Sequence, residues 1–211
     1  HITTNNWLFD GDILEKNKGQ SWSAGMNAGL LLTPTPKTKI GLAYRSAVHH
    51  DVHGKSEVTI NAKPGMEKFA KAVAETLGFY DTSIVSQIEL PASFTLSWEY
   101  QATPRWRLMA DAQYTLWNCL KKLTLNFPKK TDQQGKSSSV ILNYHNAWRL
   151  ALGESYQLTP QITLKNGFAF DETPTNETYK TARIPGANRY WITIGGNYKF
   201  TKNINLDLGY A

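Results

Sequence analysis

Hydrophobic and polar residues alternate one by one along most of this 211-residue chain, and the clearest run covers residues 88–102. There, every even position from Ile88 to Ala102 is apolar, whereas the odd positions carry mainly Glu, Ser, Thr and Gln. Successive side chains of a strand point to opposite faces, so this period predicts strands with one apolar and one polar face. The same split occurs in residues 22–32, 38–48, 105–116, 148–158, 162–170, 190–200 and 204–210. We therefore predict an all-β fold.

The connections between these segments alternate between short and long. Short ones lie at residues 34–37, 103–104, 159–160 and 201–203, and long ones at residues 52–87, 118–139 and 172–188. Strands of about ten residues, with tight turns at one end and long loops at the other, are typical of transmembrane β-barrels. A soluble sandwich or a lipocalin-like barrel also alternates and is the competing interpretation.

Two features of the faces favour the membrane barrel. The apolar face is continuous and carries aromatic residues near the strand ends, as interfacial girdles do. The polar face carries charges of both signs, which a wet lumen tolerates and lipid does not. The candidate girdle residues are Trp22, Trp98, Tyr100, Trp106, Trp117, Trp148, Tyr156, Tyr190, Tyr198 and Phe200.

Composition excludes several other classes of protein. The longest apolar run, residues 28–32, is far shorter than the roughly 20 residues of a transmembrane helix. The net charge of +6 is scattered, so we expect no nucleic-acid partner. A single cysteine, Cys119, excludes an intrachain disulfide and a cysteine zinc site, and we expect no cofactor.

Four segments resemble the outer-membrane long-chain fatty-acid transporters, the FadL/TodX-like family. They are residues 22–46 (WSAGMNAGLLLTPTPKTKIGLAYRS), 90–117 (LPASFTLSWEYQATPRWRLMADAQYTLW), 147–160 (AWRLALGESYQLTP) and 183–200 (RIPGANRYWITIGGNYKF). The resemblance implies a transmembrane antiparallel β-barrel of about fourteen strands. Residues 1–211 would be a single partial barrel domain, the C-terminal half with about eight strands, lacking the family's N-terminal hatch and final strand. Residues 52–87 would be a long extracellular loop with a helix.

The resemblance also implies passive transport of hydrophobic compounds across a Gram-negative outer membrane, with long-chain fatty acids as the first candidate. Aromatic or aliphatic hydrocarbons are the alternative cargo. We expect a monomer, not an enzyme, that contacts outer-membrane lipid and lipopolysaccharide. An outer-membrane lipid hydrolase using His53 or His145 is the alternative from a different class, but the chain contains no Gly-x-Ser-x-Gly motif.

The alternation breaks at residues 63–79, where the pattern predicts a helix. Pro64 suits a first helical turn and Gly78 suits a helix stop. Apolar residues at helical spacing would give this helix one hydrophobic face. That face either packs on its own barrel mouth or forms a landing groove for apolar ligands, and the two roles are compatible. The predicted groove residues are Met66, Phe69, Val73, Leu77 and Phe79.

A fatty-acid carboxylate would need a cation in the lumen. Six basic residues fall on the polar face, and we prefer Arg45 and Arg149 because both lie toward the long-loop half of their strands. The alternative is that each cation pairs with a lumen carboxylate. The other candidates are Lys39, Arg107, Lys165 and Arg189.

One histidine-rich stretch has the spacing of a metal site. His49, Asp51 and His53 alternate at i, i+2 and i+4, and such a set can bind zinc or copper. A solvated strand end shows the same spacing, and we predict no metal there.

Overall fold

The computed structural model describes residues 2–6, 11–181 and 184–211, which form two compact units. One, the six-stranded unit, comprises described residues up to Ala24, His49–Glu89 and Lys121–Ile141. The other, the eight-stranded unit, comprises Gly25–Val48, Leu90–Leu120 and described residues from Leu142 to Ala211. No helix in the described part of the chain is long and apolar enough to cross a membrane.

In chain order the elements are β1 (Ile2–Asn6), β2 (Gly11–Gln20), β3 (Asn27–Thr35), β4 (Thr38–Arg45), β5 (Val48–Asn61), α1 (Glu67–Thr76), β6 (Thr82–Leu90), β7 (Ser93–Thr103), β8 (Trp106–Thr115), β9 (Lys122–Asn126), β10 (Ser137–Ile141), β11 (Ala147–Gln157), β12 (Ile162–Asp171), β13 (Arg189–Lys199) and β14 (Asn205–Tyr210). Short 3₁₀ turns lie at Trp117–Cys119, Asp132–Gln134 and Glu177–Tyr179.

The eight-stranded unit is one antiparallel sheet in the order β14-β13-β12-β11-β8-β7-β4-β3. Its register keeps even-numbered residues beside even-numbered residues, as where Leu150 lies between Ala112 and Phe170, except where it shifts beside two turns, at Thr35–Thr38 and Thr103–Trp106. The alternation along each strand therefore becomes two continuous faces across the sheet, which we call the outward face (even positions) and the inward face (odd positions).

The outward face is apolar yet exposed. Leu152 keeps 64% and Ile192 73% of its surface accessible, and such exposure over a whole sheet is expected only where lipid covers the protein. The inward face carries ion pairs such as Lys39–Glu99, whose Nζ and Oε1 are 3.0 Å apart. The predicted all-β transmembrane barrel wall is confirmed.

The tight turns between β7 and β8, between β11 and β12, and between β13 and β14 are each closed by a threonine side chain. Thr103 Oγ1 accepts hydrogen bonds from the backbone N–H groups of Arg105 and Trp106, at 3.3 and 3.1 Å. Thr159 and Thr201 make the same pair of bonds to the residues two and three positions ahead. A hydroxyl that binds the turn's own backbone favours a turn over a continued strand.

The six-stranded unit has the strand order β1-β2-β5-β6-β9-β10 and carries α1. Ala70 and Ala74 of α1 are completely buried against Ile13 of β2. The predicted helix is confirmed, but it begins at Glu67, so Pro64 precedes it instead of lying in its first turn. It ends before Gly78, whose φ of +86° few other residues adopt. The predicted long loop at residues 52–87 contains strand residues on both sides of this helix.

Candidate functional site

The structure divides the predicted groove residues into two groups. Met66, Val73 and Phe79 are partly buried against the core around Ala70 and Ala74. Phe69 and Leu77 stay 53% and 49% exposed. The helix can therefore pack on its own unit with one set of side chains and still offer two large apolar side chains to a ligand.

A buried lysine, Lys130, lies beside this group and was not predicted. It is 8% exposed, and its Nζ lies 4.3 Å from the centroid of the Phe127 ring. The rings of Phe79 and Tyr80 lie 6.0 and 5.9 Å from the same atom. Among the residues that the structure describes, no carboxylate lies within 4 Å of this ammonium, and the electron-rich faces of the neutral rings attract its charge instead. The sequence gives no sign of this burial, because Lys129 and Lys130 resemble a charged turn.

The two preferred lumen cations have different partners. Arg45 Nε donates a hydrogen bond to Asn27 Oδ1 at 3.3 Å. Arg149 Nη1 lies 4.0 Å from Asp111 Oδ1, and the same carboxylate accepts a 2.7 Å hydrogen bond from Ser97. Three strand spacings separate β4 from β11, so the backbones that carry the two arginines are about 14 Å apart across the sheet. They do not form one site.

The other candidate cations pair with inward-facing carboxylates. Lys39 and Arg107 both contact Glu99, at 3.0 and 3.8 Å. Lys165–Asp207 and Arg189–Asp171 are each 2.8 Å apart. Arg45 alone of the six candidates has no carboxylate within 4 Å among the described residues.

The histidine-rich stretch lies on β5, and His49, Asp51 and His53 are exposed on one side of the strand. His49 Nδ1 lies 3.7 Å from Glu89 Oε2, and Asp51 accepts a hydrogen bond from Gln87 at 3.1 Å. Within the described ranges, no three His, Cys, Asp or Glu side chains are grouped so as to hold a metal ion.

His145, the other residue named for a hydrolase, lies in the eight-stranded unit. Its exposed ring has Nε2 3.9 Å from Glu172 Oε1.

An antiparallel sheet with a lipid-facing apolar side and a charged inner side defines the wall of an outer-membrane β-barrel. The chain belongs to the family described as "Outer membrane protein transport protein (OMPP1/FadL/TodX)", which it matches over residues 2–211. This family assignment confirms the resemblance and the outer-membrane location. Members of this family are transport proteins rather than enzymes.

Curated relatives cover almost the whole chain. The chain is 32% identical over 205 residues to the "47 kDa outer membrane protein" of Pasteurella multocida, covering 94% of this chain and 45% of the relative. It is 27% identical to the "Long-chain fatty acid transport protein" of Escherichia coli K12, covering 90% of this chain and 42% of that protein. The chain thus spans less than half the length of these relatives. Neither name describes a hydrolase, so the hydrolase alternative gains no support from them.

Solved structures share the fold. A Pseudomonas aeruginosa FadL homologue matches with a TM-score of 0.78 and 27% identity, over 95% of this chain and 45% of that structure. The Ralstonia pickettii toluene transporter TbuX matches with a TM-score of 0.64 and 20% identity, over 94% of this chain and 44% of that structure. The second likeness establishes the fold alone.

Proposed function

We propose that this protein takes up hydrophobic compounds passively across the outer membrane, with long-chain fatty acids as the first cargo. The observation that carries the proposal is the two-faced sheet of the eight-stranded unit. Its apolar outward face fits it to lipid, while its inward face of paired charges and small residues lines a polar interior. Such a wall separates a route through the membrane from the lipid around it.

The surface around α1 captures the apolar chain of the ligand. Phe69 and Leu77 are large, apolar and half-exposed, and the helix beneath them is held by fully buried Ala70 and Ala74. Each methylene that a ligand buries there contributes about 0.8 kcal/mol. Met66, Val73 and Phe79 complete the proposed groove from beneath, since they are already packed into the unit.

Arg45 is the preferred residue for binding the carboxylate of the ligand, and Arg149 is the second candidate. An incoming carboxylate can bind Arg45 without displacing an acid, because its described partner is the neutral Asn27 amide. At Arg149 the ligand competes with Asp111. A charge-assisted, two-pronged contact between guanidinium and carboxylate is the strongest such interaction available to the side chain.

Hydrocarbons are the second candidate cargo. Apolar grooves discriminate poorly between ligands of similar shape, by roughly 1–3 kcal/mol per methylene. In either case we propose a monomer in contact with outer-membrane lipid and lipopolysaccharide.

The deciding experiment measures binding of a long-chain fatty acid and an uncharged hydrocarbon of matched length to the full-length, detergent-purified protein. Saturable binding that favours the acid supports fatty-acid transport. Preference for the hydrocarbon moves the function to hydrocarbon uptake by the same barrel. Binding of neither ligand contradicts the proposal.

A further inference from the structure

The outward face of the eight-stranded sheet is interrupted by one polar pair. Among the even positions of these eight described strands, Glu154 and Asn166 are the only residues with a carboxyl or amide side chain. They lie directly opposite each other in the β11–β12 register. Asn166 Nδ2 donates to Glu154 Oε1 at 3.2 Å, and Trp106 Nε1 donates to Glu154 Oε2 at 2.9 Å.

Glu154 differs from the other carboxylates of these strands in having no cation. Asp171 and Asp207 each have a basic side chain at 2.8 Å, Glu99 has one at 3.0 Å and Asp111 has one at 4.0 Å. No Lys, Arg or His among the described residues lies within 4 Å of Glu154. A carboxylate that faces lipid without a counter-charge is costly, and ionisable residues in such places mark functional sites by default.

The position of Glu154 relative to the membrane surface indicates which group can supply its counter-charge. Trp106 begins β8 at a tight turn and pairs with Tyr156, near the end of β11. Tyr100 and Tyr198 lie at the same end of the sheet, so these aromatics form the belt that sits at headgroup level. Because the Trp106 indole contacts Glu154, the carboxylate reaches this belt. Tight turns of bacterial outer-membrane barrels face the periplasm.

We propose that Glu154, oriented by Asn166 and Trp106, binds the primary ammonium of a phosphatidylethanolamine headgroup in the periplasmic leaflet. A primary ammonium carries a positive charge and N–H donors, which suit the acceptor positions that Asn166 and Trp106 leave unused. A calcium or magnesium ion suits the site poorly. Such ions take about six or more oxygen ligands, whereas Asn166 presents its amino group rather than its oxygen.

The test titrates full-length, delipidated protein in detergent with phosphatidylethanolamine, phosphatidylcholine and phosphatidylglycerol of identical acyl chains, and counts retained lipids by native mass spectrometry. We expect phosphatidylethanolamine to be retained about tenfold better than phosphatidylcholine, because a quaternary ammonium has no N–H to donate to the charged acceptor. Glu154→Gln should abolish this preference and leave phosphatidylglycerol retention unchanged. Asp207→Asn, on the inward face, is the matched control and should preserve the preference.

A second series of lipid titrations uses only the unaltered protein. N-methylated and N,N-dimethylated phosphatidylethanolamine should be retained progressively less well by the unaltered protein as N–H donors are lost. Equal retention of the ethanolamine and choline lipids would overturn the proposal, as would an unchanged preference in Glu154→Gln. A preference that vanishes on chelation of divalent ions would also overturn it, because a metal ion would then be the counter-charge.

Discussion

Phe69 and Ala70 are neighbours in sequence, yet Ala70 is completely buried while Phe69 leaves 53% of its surface exposed. The helix places two alanines, Ala70 and Ala74, inward and the large Phe69 outward, which reverses the usual order of burial. Close packing at Ala70 and Ala74 needs small residues, whereas nothing in the helix's own packing needs the exposed ring. The exposed ring is thus available for the proposed capture of ligand.

Replacing the exposed apolar residues should weaken capture without unfolding the helix. We expect Phe69→Ser with Leu77→Ser to lower affinity for a long-chain fatty acid by at least about fivefold, since half-buried contacts are lost. Tryptophan fluorescence titration of the full-length protein would measure this. Ala72→Ser, at an exposed position of the same helix, is the matched control. Equal affinity in the double variant and the control would contradict the groove assignment.

Arg45 and Arg149 should respond differently to loss of charge. Arg45→Gln should reduce affinity for a fatty acid about tenfold but leave affinity for a matched hydrocarbon unchanged, because only a charge-assisted contact is removed. Arg149→Gln should also lower thermal stability, since Asp111 loses its cation. The Arg149→Gln, Asp111→Asn double variant should regain part of that stability. Equal loss of both ligands in Arg45→Gln would indicate barrel damage instead.

The threonine turns should be sensitive to loss of the hydroxyl. Thr159→Val keeps the shape of the side chain but leaves the N–H groups of Gln161 and Ile162 without their acceptor. We expect a cost of about 1 kcal/mol, measured as a shift in the urea midpoint of folding into vesicles. Thr159→Ser retains the hydroxyl and should restore most of the stability. If the valine and serine variants behave alike, the hydroxyl does not stabilise the turn.

Substitutions at two glycines distinguish the energetic cost of backbone strain from that of a steric clash. Gly65 and Gly78 have nearly equal φ values, +89° and +86°, but a methyl group added at Gly65 meets nothing within 4 Å. At Gly78 it would lie 2.5 Å from the backbone oxygen of Gln134. Gly65→Ala should therefore cost about 1 kcal/mol for its backbone alone, and Gly78→Ala clearly more. Hydrogen exchange of α1 amides measures both, and equal protection would contradict the contact.

The Lys18–Glu57 pair on the six-stranded unit predicts a pH effect. Their 2.8 Å hydrogen bond and the lysine charge hold the pKa of Glu57 below its ordinary value of 4.5. A lowered carboxyl pKa stabilises the fold above that ordinary value, and the contribution is lost as pH falls through the folded-state pKa. Lys18→Met should raise the pKa of Glu57, as measured by carboxyl-carbon NMR. Added salt should weaken the effect in the unaltered protein, because both groups are exposed.

Sequence pattern predicted the barrel wall because its two faces meet different solvents. Lipid favours apolar side chains at the even positions of a strand, and a wet interior favours polar side chains at the odd positions. Strands β7 and β8 can therefore be recognised from the sequence alone. The six-stranded unit lacks this contrast. In β5 the most buried side chain is Ser56, which donates a hydrogen bond to Glu15 at 2.7 Å, so polarity no longer indicates which face is buried.

The candidate site was predictable only in part for the same reason. Helical spacing identified five apolar residues, but only packing separates the exposed Phe69 and Leu77 from those beneath them. The odd-numbered positions of the strands identified six inward cations, but only the side-chain contacts of the structure show that five of them lie beside carboxylates and that Arg45 does not. The burial of Lys130 could not be predicted because two of its three aromatic partners, Phe79 and Tyr80, come from a distant segment of the chain.

The threonine that closes the β7–β8, β11–β12 and β13–β14 turns has a consequence for how such a wall can change in evolution. Its hydroxyl binds backbone groups two and three residues ahead, so contacts inside the hairpin itself favour the alignment of its strand pair. Each hairpin is then a self-contained module. A wall made of such modules can gain or lose strands two at a time by duplication or deletion of a short stretch of gene, and the remaining pairs keep their alignment.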